Sequence, residues 1–580
     1  MKRSNIASAV QQNGGHCNPN LSHKVLATTK IGQLLPIFHQ ECVPGDTVTL
    51  HSSMFCRTLP LSVPSYVNLV YRTMSVFVPY HQVADGVESF MANEITYRGK
   101  GNRIPLLTQY YIEKFFLDTR ISTTTGASSS NYDLLVKGGS GGAASTDTYI
   151  LLLPLGRYAM KVFHLLGYRF DKVLPFTTGT SGNQGKFYNA LPLLAMAHAY
   201  NSFMSYSARQ NTSTLSTALE DGKRTANWVV SNTVLYTIFS SLLVTYQDSF
   251  FSTAWAAPFN PSGVSGSSGY RQYLDLETGV AAGHAPVDFG PSNGVVGKLN
   301  SDSDFTASQI RLLLKYDDFF RRSNFAGSKD VEKIYSQMGV KIDDYRTRYP
   351  YFLNETSKSV NIGDVTSTAD TTSASIGAYA GKAIGDGDAG FQFRSSDYGM
   401  LFTFAWFAPK PMFYLGCDKE NLRINPFDFY NPQLDQNLAV PVAYEQFFAE
   451  GNPTGGRTTV FGYAPLYLEY LYHNDYIVGD FETRTEFKPW HFGYTAPIAA
   501  LTGSQSDITA QDDRLIYMPN TGTEFERIFN IEDTELLDVD TIYLTIDNDC
   551  RASRPMRDMT GKIGLGDGDV DVSINGSEIH

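Results

Sequence analysis

The sequence predicts an all-β core interrupted by large loop and helical insertions, and two observations carry that reading. Runs that alternate apolar and polar residues, the period of a half-buried strand, stand near both ends of the 580-residue chain, while convincing helical spacing is confined to its middle. The composition agrees: 35 Tyr and 37 Phe raise the aromatic share to 13%, and charged residues make up only 18%, below the roughly 25% of ordinary soluble domains.

Taken in chain order, Thr47-Val48-Thr49-Leu50 alternates after a Pro44-Gly45 turn, and 69–78 reads as a long strand closed by Pro79. A helix is expected after Pro192, through Leu194 to Tyr206. Thr306 and Gln309 form a capping-box pattern ahead of Ile310, Leu313, Leu314 and Phe320. Ser328 caps a further expected helix carrying Val331, Ile334, Tyr335 and Met338 and closed by Gly339. The continuous apolar run over 398–408 suits a strand buried on both faces. Strands are expected again at 466–472 and at 541–547, where Ile542, Leu544 and Ile546 point one way and Thr541, Tyr543 and Thr545 the other.

Three stretches read as surface loops: 126–145, 258–304 (opening at Pro258 and closing at Asp304) and 366–390. No charged linker or Pro-rich hinge cuts the chain, so 1–580 is expected to be one domain.

The net charge of -12 argues against a chain that coats nucleic acid by itself, since that needs many cations on phosphates. The five cysteines are odd in number, scattered and without CxxC spacing, so neither a disulfide framework nor a zinc site is indicated. The polar N-terminus has no signal-peptide core and no run suits a membrane span, so neither export nor membrane insertion is expected.

Motifs of chemistry fail on context. Gly138-Gly139-Ser140-Gly141-Gly142 satisfies G-x-S-x-G but lies in a Gly/Ser tract, not between strand and helix. From Gly179 to Gly185 the spacing is one residue too long for a phosphate loop, and Phe187 follows Lys186 where Ser or Thr is needed; the stretch reads as a loop entering a helix. Asp567, Asp569, Asp571 and Glu578 have the spacing of a calcium loop, but Val572 replaces the sharp-turn glycine. The expectation is no catalytic residue, no cofactor, no metal, and an acidic tail over 567–580.

A colinear series of blocks resembles the major capsid proteins of the Microviridae, the gokushovirus-like branch in particular. The opening blocks are Asn20-Leu21-Ser22-His23, Gly32-Gln33-Leu34-Leu35-Pro36, Val43-Pro44-Gly45-Asp46, Arg57-Thr58-Leu59-Pro60-Leu61 and Val76-Phe77-Val78-Pro79. Asn189-Ala190-Leu191-Pro192, Gln309-Ile310-Arg311, Tyr349-Pro350-Tyr351-Phe352-Leu353 and Asp428-Phe429-Tyr430 continue it. Phe461-Gly462-Tyr463, Glu469-Tyr470, Gly479-Asp480-Phe481, Trp490-His491 and Arg554-Pro555-Met556 close it. Two places depart from the family pattern: Tyr80-His81, and the tail after Gly566.

The resemblance implies an eight-stranded antiparallel jelly roll of the viral capsid type, and a homo-oligomeric T=1 icosahedral shell assembled in the bacterial host cytoplasm. It implies packaged single-stranded DNA with a small basic DNA-binding protein, and a scaffolding and a pilot protein as further partners. It also implies a protruding insertion for a host cell-surface receptor, for which 258–304 is the candidate. The alternative from another class is a carbohydrate-binding β-sandwich adhesin.

Overall fold

The computed structural model describes most of 17–250, then 350–363, 382–423, 429–432, 439–447, 460–493, 517–518, 523–529, 539–555, 562–564 and 571–573, with short interruptions inside these spans. Eight long strands carry the core: β1 His23–Thr29, β2 Leu35–Cys42, β3 Thr47–Thr58, β4 Leu69–Pro79, β5 Tyr351–Gly363, β6 Lys382–Arg394, β7 Gly399–Pro409 and β8 Ile542–Ser553. They hydrogen-bond in the order β1-β8-β3-β6-β5-β4-β7-β2, antiparallel throughout. β5 and β6 meet only at Asn361–Ile384, Ile362–Ala383 and Gly363–Lys382 among the described residues. That narrow junction divides the sheet into two halves, β1-β8-β3-β6 and β2-β7-β4-β5.

The alternation in the sequence sets what each half faces. In β3, Val48, Leu50, Met54 and Cys56 are buried while Thr49, His51, Phe55 and Arg57 are exposed. β8 follows suit, burying Ile542, Leu544, Ile546 and Cys550. A sheet with one core face and one outer face requires this pattern. β7, by contrast, is buried along its whole length, as its unbroken apolar run demands.

A layer of helices packs beside the second half-sheet: α1 Gln109–Asp118, α2 Pro154–Leu165, α3 Leu191–Phe203, α4 Thr214–Lys223 and α5 Asn232–Ser241. α3 packs on β4 and β7, α2 on β2, and α1 on α5. One apolar cluster runs from Met54, Leu544 and Ile546 through Val76, Phe402 and Phe404 to Leu194, Phe163 and Phe239. A second, smaller one joins Phe38, Val48, Leu50, Phe77, Leu401 and Cys550. No described helix is long and apolar enough to cross a membrane.

Several expectations need correction. The 466–472 segment is not a strand: the strand Val460–Pro465 ends before it, and Leu468–Leu471 is a 3-10 turn. Tyr467 makes the reversal in the left-handed region, at φ 66°. That strain, of order 1–3 kcal/mol, is held by its hydroxyl, which accepts from the Asn431 amide at 3.1 Å and donates to the Phe429 carbonyl at 3.3 Å. Of the 366–390 stretch, the part from Lys382 belongs to β6 and is not a loop, while 366–381 lies outside the described residues. The 126–145 stretch contains the strand Leu134–Lys137. Lys186 leads first into the short strand Phe187–Asn189 and only then into α3.

Thr541 precedes β8 and is buried rather than facing out, because its carbonyl accepts from the Leu59 amide at 2.9 Å inside the fold. Helices α1, α2, α4 and α5 were not anticipated. Thr108 and Ser231 nonetheless cap α1 and α5, and Pro154 stands at the start of α2. The helices expected after Thr306 and Ser328 lie outside the described residues.

Candidate interaction surface

Register places four apolar side chains together on the outer face of the first half-sheet. Leu26 stands opposite Thr545 and Thr545 opposite Phe55; one row away, Tyr543 stands opposite Arg57 and Arg57 opposite Ile384. Leu26, Phe55, Tyr543 and Ile384 are all exposed. The Arg57 guanidinium lies 5.3 Å from the Phe55 ring centre and so adds a cation–π contact rather than a free charge. The flanking row is also self-neutralised, by Lys24 with Asp547 at 3.3 Å and by Lys358 with Asp388. An apolar centre beside paired charges is the anatomy of a protein contact.

A second apolar surface is built on the Tyr467 turn. The Tyr430, Tyr467 and Tyr470 rings meet edge to face, at 5.0 and 6.2 Å from Tyr430. The Tyr470 hydroxyl accepts from the Tyr430 amide at 3.0 Å, and Arg423 covers its ring at 4.0 Å. Beyond this frame Leu471, Tyr476 and Val478 project into solvent, 84%, 64% and 70% exposed. Three large apolar side chains exposed within eight residues of one segment, the Leu471 shelf, suit an interaction site.

Behind the shelf, 480–493 is pinned to the loop between β3 and β4. Ser65 donates to the Pro489 carbonyl at 2.8 Å, and the Tyr66 ring packs on Phe481 and Trp490. His491 is buried with both ring nitrogens engaged: Nδ1 accepts from the Gly493 amide at 3.0 Å, so Nε2 is left to donate to the Phe481 carbonyl at 3.1 Å. Arg527 braces the same segment by donating to the His491 and Gly493 carbonyls at 2.8 and 3.2 Å.

Blocks remote in sequence also converge at the Val43-Pro44-Gly45-Asp46 turn, where Gly45 takes φ 94°. The buried Asp46 carboxylate accepts from the Val43 amide at 3.0 Å and lies 3.6 Å from Arg554. Arg554 in turn donates to the Glu41 carbonyl at 2.9 Å.

The thiols of Cys42, Cys56 and Cys550 are pushed up by burial, to about 12, about 11 and about 11, and are thereby unreactive. Among the described residues no three His, Cys, Asp or Glu side chains are grouped to hold a metal. Of the four residues with calcium-loop spacing, Asp571 lies in the short strand Asp571–Ser573, while Asp567, Asp569 and Glu578 lie outside the described residues. So do the 258–304 loop and Gly138 to Gly142. Neither apolar surface was singled out from sequence; the excess of Tyr and Phe was the available signal, and it carries no address.

Comparison with known proteins now assigns the family. The model of the family described as capsid protein (F protein) matches residues 8–108 and 189–551, more than half of the chain. Capsid protein VP1 of Chlamydia phage 1 is 23% identical over 554 residues, covering 86% of this chain and 90% of its own length. Capsid protein VP1 of Bdellovibrio phage phiMH2K is 21% identical over 488 residues, covering 81% and 84%. These matches imply a structural rather than enzymatic role, an oligomeric shell and a place in the virion, and they do not favour the adhesin alternative. The chain belongs to the capsid protein (F protein) family and is a Microviridae major capsid protein.

Proposed function

We propose that copies of this chain assemble into a closed T=1 icosahedral shell around single-stranded DNA, with an eight-stranded jelly roll as the shell wall. The observation that carries this is the strand order. β1-β8-β3-β6 and β2-β7-β4-β5 each pair early strands with late ones, as when one long hairpin winds upon itself into two Greek keys. A closed shell is the symmetric use of such a wall, and the two apolar surfaces supply faces for it to bury.

A chain of net charge -12 cannot neutralise packaged DNA, so a small basic DNA-binding protein takes that part. A scaffolding protein and a pilot protein complete the expected partners, with assembly in the host cytoplasm. Negative-stain microscopy of infected-cell lysate should show isometric particles of this chain holding nuclease-protected single-stranded DNA. A monomer in every lysate would overturn the proposal.

Host attachment is assigned to the 258–304 loop, whose Gly, Ser and Pro content is ill suited to a core. Replacing 263–297 by a short Gly-Ser bridge should leave particles that no longer adsorb to host cells. Normal adsorption would remove the loop from recognition, and failure to assemble would make it a subunit contact.

A further inference from the structure

We propose that the free edge of β1 pairs with β1 of a second copy, antiparallel about a two-fold axis through Leu26. The inference rests on the shell reading, because a closed icosahedral shell contains two-fold contacts. β1 ends the strand order, with β8 on one side and no described strand on the other. The register that joins β1 to β8 extends before His23 without a slip, through Asn20 opposite Arg551 and Cys17 opposite Arg554. Cys17 and Arg554 exchange both main-chain hydrogen bonds, at 3.0 and 2.8 Å, and the Leu21 amide donates to the Cys550 carbonyl at 2.8 Å. An antiparallel ladder alternates, so Lys24, Leu26 and Thr28 turn their N–H and C=O groups away from β8.

The edge is closed just before this stretch. The Ser22 amide, which also points away from β8, is taken by Asn20 Oδ1 at 3.0 Å. The open part therefore begins at Lys24, and Leu26, 76% exposed, stands at its middle. An uncovered edge that also carries an exposed apolar side chain is a template for pairing with another chain.

A second copy is the occupant that the charges favour. Antiparallel pairing about Leu26 sets Leu26 against Leu26 of the second copy and Lys24 against the second copy's Thr28. Each such pair exchanges both main-chain hydrogen bonds. Lys24 then meets a hydroxyl rather than a cation, beside the Asp540 carboxylate to which the Thr28 hydroxyl donates. Asp547 at 3.3 Å already offsets the Lys24 charge. In-register parallel pairing would instead set Lys24 on Lys24, which repels. The antiparallel arrangement also joins the Leu26, Phe55 and Tyr543 rows of both copies into one apolar face across the axis.

Oxidative cross-linking of purified particles, read on a non-reducing gel, tests this. The two Leu26 Cα atoms would stand about 5.5 Å apart, within the range of about 4.4–6.8 Å that a disulfide spans. Leu26→Cys should therefore run mainly as a dimer, above the background of wild-type chain with its own free cysteines. Lys24→Cys alone should stay monomeric, whereas Lys24→Cys combined with Thr28→Cys should give the dimer. A monomer band for Leu26→Cys in intact particles would overturn the proposal. Dimers from Lys24→Cys alone, or a cross-link to any other protein, would do the same.

Leu26→Pro is the second test. It removes an N–H on the open side of an edge strand, where proline is tolerated, so the subunit folds while the pairing is blocked. Particle yield should fall roughly tenfold or more, and a wild-type yield would overturn the pairing. If wild-type chain forms no particles in any lysate, the shell reading fails. A Leu26→Cys dimer from soluble chain would then still support the pairing, and a monomer would overturn it.

Discussion

The Ser52 hydroxyl donates to Asn548 Oδ1 at 2.7 Å, and this bond fixes which way the Asn548 amide faces. Its Nδ2 then donates to the Ile37 carbonyl at 3.1 Å, so one side chain of β8 ties β3 in its own half-sheet to β2 in the other. Nδ2 also faces His23 Nε2 at 3.3 Å, while His23 Nδ1 lies 3.0 Å from the Leu21 carbonyl. The imidazole therefore donates from Nδ1 and accepts at Nε2. This polar knot lies on the inward face of β8, between Ile546 of the larger apolar cluster and Cys550 of the smaller.

Asn548→Ala should destabilise the folded subunit by about 2–4 kcal/mol, because it strands the buried Ser52 hydroxyl and the Ile37 carbonyl together. Denaturant unfolding of the subunit measures it. Ser52→Ala with Asn548→Leu should cost less than the two single changes added, since neither partner is then left unpaired. Full additivity would show that the two residues act separately.

Gly387 governs how closely β6 approaches β4. A Cβ there would stand 2.5 Å from the Tyr71 ring, and one at Gly385 would stand 2.9 Å from Cys56 Sγ. At Gly390, which faces out, it would meet only the Leu50 carbonyl at 3.4 Å. Gly387→Ala should thus cost about 1–3 kcal/mol by overpacking, with Gly390→Ala much milder. Equal thermal shifts for the two would refute the packing argument.

The same glycines explain where sequence reading stopped. Gly385, Gly387 and Ala389 keep strict alternation inward, yet they look like loop composition, because a strand is recognised by the bulk it buries and these bury almost none. β3, β4, β7 and β8 were legible because their inward residues are large and apolar. The 466–472 segment misled in the opposite sense: its alternation is real, but the left-handed Tyr467 turns it into a 3-10 helix held by contacts some 36 residues away. The apolar surfaces were illegible for a related reason. An exposed Tyr and a buried Tyr are the same letter, and only register and burial separate Tyr543 from Tyr71.

His491 gives the 480–493 segment an acid limit. Burial lowers its pKa below the ordinary 6.5; Arg527 and Lys488 add to this, and the Phe481 carbonyl opposes it in part. The unfolded chain thus binds the proton more readily than the fold. Stability is full above about pH 6.5 and is lost as pH falls from there toward the lowered folded value. A proton on Nδ1 also removes the acceptor for the Gly493 amide. Hydrogen exchange at Gly493 should quicken on acidification from neutrality to mildly acid pH, and His491→Gln should flatten that dependence. An unchanged pH profile in the variant would assign the effect to another group.

The Leu471 shelf offers the most direct test of how shells close. Leu471 is 84% exposed and Val478 70%, so neither contributes much to the subunit fold, and replacing either should shift subunit stability by no more than about 0.5 kcal/mol. In a subunit contact the same side chains lose water and pack against apolar neighbours, and a carboxylate placed there would be desolvated without a partner. Leu471→Asp should therefore yield folded subunits with native circular dichroism that fail to form particles, and Val478→Asp should do likewise. Phe55→Asp asks the same question of the outer face of the first half-sheet. Sedimentation of lysates separates the outcomes. Subunits at the top of the gradient place the shelf in the shell contact, whereas particles at wild-type yield leave it on the outside of the shell or facing the genome.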